Sequence, residues 1–150
     1  MTTYIDSSAL VAVYVPERFS KTARRALQSA PQIPFTQIHE LELLNAFGLM
    51  VGRGAISREE SQAIGAQFHE DVDTERLLRV SLDLERVFVN ACELSKDYAA
   101  KTLARSVDLL HVAAAHLTGC TNFVSGDDRQ LSVAKATGLA VVDIKRRAAR

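Results

Sequence analysis

The chain has 150 residues, 47% hydrophobic and 24% charged, with 18 basic residues balancing 18 acidic ones. This is the makeup of a globular chain and excludes a disordered one. Zero net charge argues against a generally basic nucleic-acid coat but leaves room for a local basic rim. The length predicts one domain, residues 1–150, able to bury roughly 70% of its unfolded surface. Cys92 and Cys120 lack CxxC spacing and suggest neither a zinc site nor a disulfide framework; buried free thiols in a reducing cytosol are expected. No secretory leader is visible, and no apolar run approaches the ~18 residues of a membrane helix. A cytoplasmic protein with no membrane partner is the expectation.

In chain order, TYIDSS predicts a short strand followed by a helix start, with Asp6 or Ser at the junction able to cap it. Residues 7–14 predict a buried helix ended by Pro16, and 20–30 a second helix leading to Pro31. QIPFT predicts a buried strand, with Pro34 counting against it. QIHELELLNAFGLMVG, 37–52, has helical apolar spacing, and Gly52 and Gly54 stop it. Ser57 with Glu60 three residues on is a capping-box start for a helix to about residue 71. LLRVSLD, 77–83, predicts a strand, 84–100 a helix, and SVDLLHVAAAHLTG an apolar helix closed by Gly119. TNFVSGDD is a second strand running into acids, 128–137 a helix closed by Gly138, and LAVVDI a last strand. Alternating strands and helices predict an α/β fold, with a mostly parallel sheet covered on both faces. Ligands of such sheets bind beyond the carboxyl ends of the strands.

That rule singles out acids. Asp6 and Asp127 or Asp128 follow strands, Asp108 opens an apolar helix, and Glu42 lies on or beside the apolar stripe of another. Each alone has an ordinary reading: a helix cap, a turn residue or a solvated glutamate. As a set they could meet in one cleft. Carboxylates that close repel, and a hard divalent cation removes that cost. Oxygen-only ligands suit Mg²⁺ or Mn²⁺, which commonly act on phosphate esters.

The sequence resembles the PIN domain, and within it the VapC-type toxin ribonucleases of toxin–antitoxin pairs. The matching segments are YIDSSALV (4–11), ELLNAF (42–47), SVDLLHVAAA (106–115) and FVSGDDRQL (123–131). The resemblance implies a three-layer α/β/α domain with a central sheet of four to five strands. It implies Asp6, Glu42, Asp108 and Asp127 as catalytic, metal-binding acids, with Ser7, Ser125 and Asp128 supporting. Glu40 competes with Glu42, and Asp128 with Asp127. The implied activity is Mg²⁺- or Mn²⁺-dependent hydrolysis of RNA. The implied partners are a cognate VapB-type antitoxin and a second copy of the chain in a homodimer.

Lys101, Arg105 and Arg129 flank the acids and could hold RNA phosphates. His39, His69, His111 and His116 are candidates for metal or acid–base roles. For His111, three residues after Asp108, a satisfied structural histidine in an apolar helix is the simpler expectation. HEDVD at 69–73 reads as a solvated helix end, and Lys145, Arg146, Arg147 and Arg150 as a solvated basic terminus. Two rival functions remain at this level. A phospho-receiver module could use Asp6, Asp83 and Lys145 but leaves Glu42 and Asp108 idle. A non-catalytic binding module of the same fold needs none of the acids.

Overall fold

The computed structural model describes residues 1–146; Arg147 and Arg150 of the expected basic terminus lie outside them. The elements follow the predicted order: β1 (Thr3–Ile5), α1 (Ser7–Tyr14), α2 (Ser20–Gln28), β2 (Ile33–Phe35), α3 (Gln37–Gly52), α4 (Arg58–Asp73), β3 (Leu77–Arg79), α5 (Leu84–Thr102), α6 (Ser106–Leu117), β4 (Asn122–Ser125), α7 (Asp128–Ala136) and β5 (Ala140–Asp143). All strand pairings are parallel. They form a three-stranded sheet, β1-β4-β5, and a separate two-stranded sheet, β2-β3, in place of one continuous sheet. At the seam, His39 Nε2–H donates to the Ile5 carbonyl at 2.7 Å.

Strand alternation sends successive side chains to opposite faces. Tyr4 and Phe123 enter one apolar cluster with Val87, Leu109, Val112 and Val133. Ile5 and Val124 enter the other with Leu10, Ile33, Phe35, Leu43 and Phe68. Helices therefore cover both faces, the α/β/α layering expected. Pro34, opposite Leu78, is tolerated because its neighbours make the flanking rungs to β3, Ile33 N–H to the Arg76 carbonyl and Val80 N–H to the Phe35 carbonyl. Ser57 and Glu60 form the expected reciprocal cap of α4, Glu60 N–H to Ser57 Oγ at 3.0 Å and Ser57 N–H to Glu60 Oε1 at 3.3 Å.

The third strand is shorter than the predicted 77–83. Its partner β2 ends where Thr36 caps α3, so the Val80 N–H to Phe35 carbonyl bond is the last rung. Beyond it, the Gln37 side chain takes over, accepting from Leu82 N–H at 3.1 Å. Both cysteines are free, but only Cys120 is buried as expected; Cys92 lies on the exposed face of α5. Among the described residues no helix is long and apolar enough to cross a membrane.

Phe68 carries α4 onto the β2 side, with ring centroids 5.1 Å from Phe35 and 6.0 Å from Tyr14. Phe68→Ala removes a 98%-buried ring. It should cost about 3–5 kcal/mol in urea denaturation; a cost under about 1 kcal/mol would mean that α4 is not anchored there.

Candidate metal and phosphodiester site

The register that sets Ile5 opposite Val124 sets the next residue, Asp6, beside Ser125. The Asp6 N–H extends the ladder to the Val124 carbonyl at 3.0 Å. Its carboxylate then caps α1: Oδ1 accepts the Ala9 N–H at 2.8 Å, and the Ser8 hydroxyl lies 3.1–3.2 Å from both oxygens. Oδ2 accepts the Ser125 hydroxyl at 2.7 Å. Asp6 is thus both cap and cavity wall. It is 2% exposed, and burial pushes its carboxyl above the ordinary range of 3.8, against the opposing pull of His111 and these hydrogen bonds.

Ser125 also accepts the Asp127 N–H at 2.9 Å, tying the end of β4 to the end of β1. Between them, Gly126 lies against Ile144; a Cβ there would stand 3.1 Å from Ile144 Cγ1. Asp127 caps α7, its Oδ1 accepting from Arg129 and Gln130 N–H. Asp108 caps α6 from its third position, Oδ2 accepting the Arg105 N–H at 2.8 Å. The Gln130 amide donates to Asp108 Oδ1 at 3.2 Å. The Arg105 guanidinium spans the two acids, 3.5 Å from Asp108 and 3.6 Å from Asp127, while 70% exposed.

Glu42 reaches the same cavity from α3. Its Oε1 meets His111 Nε2 at 2.5 Å. Burial alone would push its carboxyl up, but His111 outweighs that and holds it below the ordinary range. Asp6, Ser7, Ser8, Glu42, Arg105, Asp108, His111, Asp127 and Gln130 line one cavity of about 430 Å³. The four predicted acids are therefore brought together from four separated segments. Among the described residues, no three His, Cys, Asp or Glu side chains are gathered closely enough to hold a metal ion as they stand. The donors are nonetheless oxygen-rich and anionic, a set chemically suited to Mg²⁺ or Mn²⁺.

The competing acids lie elsewhere. Glu40 pairs with Arg79 at 2.8 Å on the surface, and exposed Asp128 pairs with Lys145 at 3.2 Å. Ser7 and Ser125 belong to the site's hydrogen bonds; Lys101 and Arg129 are exposed and do not line the cavity. Asp83 caps α5 by accepting the Arg86 N–H, and neither it nor Lys145 joins Asp6, so a receiver's acid–lysine arrangement does not form. His39 is wholly buried, and burial, chiefly, lowers its pKa to about 3, which keeps it a neutral structural bridge. His69 turns to the Gly65 carbonyl and His116 to Thr137. In HEDVD, Asp71 is not merely solvated but accepts the Tyr14 hydroxyl. His111, expected to be a satisfied structural histidine, instead lines the cavity and meets Glu42. Gln130 was not singled out in the sequence; its spacing, three residues on from Asp127, was the available signal.

A family model described as the PIN domain matches residues 3–136, and the chain belongs to that family. Three solved structures are similar at the level of the fold. One is VapBC2 from Rickettsia felis bound to a DNA fragment from its promoter (TM-score 0.67, 15% identity, 95% of this chain and 98% of that one). A second is Mycobacterium tuberculosis VapC20, a sarcin-ricin loop cleaving toxin (0.66, 17%, 95% and 99%). The third is FitAcB from Neisseria gonorrhoeae (0.64, 14%, 95% and 98%). No curated protein matches the sequence significantly.

The raised Asp6 pKa fixes a sign. The folded protein holds this proton more tightly than the unfolded chain, so Asp6 contributes stability below about pH 3.8 that is lost as pH rises through the folded value. Without divalent cations, Asp6→Asn should gain on the wild type in Tm as pH rises from 4 toward 8. An advantage that shrinks over that range would contradict the burial effect.

Proposed function

We propose that the protein is a Mg²⁺- or Mn²⁺-dependent endoribonuclease of the VapC toxin type, a single PIN domain that is restrained by a small cognate antitoxin and pairs with a second copy of itself as a homodimer. One observation carries the reading: Asp6, Glu42, Asp108 and Asp127 line a single cavity at the carboxyl end of β1 and β4. The solved neighbour described as a sarcin-ricin loop cleaving toxin points the same way.

In this reading Asp6, Asp108 and Asp127 hold the cation, with Glu42 as a fourth ligand or as the base that orients the attacking water. A bound Mg²⁺ or Mn²⁺ supplies charge for the phosphoryl oxygens and lowers the pKa of the attacking water. Ser125 keeps Asp6 and Asp127 in relative register through its two hydrogen bonds. Arg105, exposed and already beside Asp108 and Asp127, would hold an RNA phosphate next to the acids, and Lys101 and Arg129 would extend the basic rim. Exposed Leu41, Leu44 and Leu49 on the helix that carries Glu42, and Phe88 and Val89 on α5, offer apolar surface for protein partners.

Hydrolysis by such a site leaves a 5′-phosphate and a 3′-hydroxyl. Brief expression in cells should create new RNA 5′ ends that are absent with Asp6→Asn. In vitro, that variant should lose at least the roughly 100-fold that removal of a ligand's hydrogen-bond partner can cost. EDTA should stop cleavage and Mn²⁺ restore it. Equal cleavage by Asp6→Asn, or EDTA-resistant cleavage, would refute the proposal.

A further inference from the structure

Behind Glu42 lies a polar chain that the cleavage scheme does not use. His111 Nε2 meets Glu42 Oε1 at 2.5 Å and Ser7 Oγ at 3.1 Å, and His111 Nδ1 meets the Tyr4 hydroxyl at 2.7 Å. These groups come from four elements: α6, α3, α1 and β1. Tyr4 is wholly buried and His111 2% exposed. The imidazole is also walled in by rings, with centroids 5.2 Å from His39 and 5.7 Å from Tyr4, and Tyr4 stacks in turn on Phe123 at 5.5 Å.

An ionised carboxylate can only accept, so Nε2 carries a hydrogen whatever the charge of the ring. Nδ1 is satisfied by Tyr4, as acceptor or as donor. Ser7 flanks the same Nε2, and the surrounding rings leave the imidazole little room to turn away from Glu42. Glu42 is different: its side chain is 34% exposed at the cavity mouth, on a stem with three rotatable bonds. Left alone, it would sample water and lose rotamer entropy on binding a cation.

We infer that His111, buttressed by Tyr4, is a positioning residue that pins Glu42 into the acid cavity before any ligand arrives. It acts through Glu42 and does not itself touch the reacting atoms. Because one carboxylate oxygen is engaged, the carboxylate is presented to a cation in a fixed orientation, the role that hydrogen-bonded partners of metal ligands commonly play. This inference rests on the proposed metal site, and Mn²⁺ binding tests it without RNA or turnover.

The measurement is Mn²⁺ affinity of the full chain, by titration calorimetry or by the EPR signal of free Mn²⁺. His111→Leu should weaken binding by about 10–100-fold, the range for loss of such a partner. His111→Gln, which restores an N–H donor, should recover much of that loss. In a Glu42→Gln background, His111→Leu should add little, since residues that act through one another are not additive. Tyr4→Phe, which keeps the ring and its stacking, should weaken binding in the same direction, and carries the test if His111→Leu does not fold. Wild-type affinity in a folded His111→Leu and in Tyr4→Phe overturns the inference, as does an equal loss from His111→Leu with or without Glu42. A wild-type chain that binds no Mn²⁺ overturns this inference and the metal site together.

Discussion

Parallel pairing of β1 with β4, Ile5 opposite Val124, is the constraint on which the site depends. It fixes Asp6 beside Ser125, and Ser125 fixes Asp127. Asp127 opens α7, whose Gln130 donates to Asp108 on α6. Acids that would repel are thus held by a continuous set of donors rooted in one backbone register. Shifting that register by one residue would send Tyr4 and Ile5 into the wrong apolar clusters. The core and the cavity are therefore specified by the same three rungs.

The cavity carries a stability cost that the fold offsets elsewhere. Asp6 is buried as an anion-forming group, and its pKa rises in consequence. Its hydrogen bonds reduce that penalty, and the Arg105 guanidinium screens Asp108 and Asp127 from each other. Arg105 is well suited to this because its head is exposed and its backbone N–H is already held by Asp108. A cation supplied by the chain itself, at the exposed mouth, keeps the acids together. Functional sites commonly break local rules of charge burial in this way.

Much of this was legible in sequence. Alternating apolar runs, Gly119 and Gly138, and the Ser57–Glu60 cap gave the elements and their order. Acids at two strand ends gave two walls of the cavity. What was not legible has physical causes. Whether β2 joins β1 in a ladder depends on a seam that His39 fills, and a three-residue strand carries no signal for it. The early end of β3 follows from the cap of α3, far away in sequence. Glu40 and Glu42 differ by two residues on one helix, enough to turn one toward Arg79 and the other toward the cavity. His111 looked like an ordinary core histidine because its helix is apolar; only the fold brings Tyr4 and Glu42 to its two nitrogens.

The proposed activity requires Asp6, Asp108 and Asp127 to hold one divalent cation with Glu42 beside it. A crystal of the chain soaked in Mn²⁺, with anomalous differences measured, tests it most directly. The expected result is an anomalous peak bounded by Asp6, Asp108 and Asp127, with Glu42 in reach and the Arg105 guanidinium displaced. A peak elsewhere on the molecule, or no peak with Arg105 still spanning Asp108 and Asp127, would contradict it.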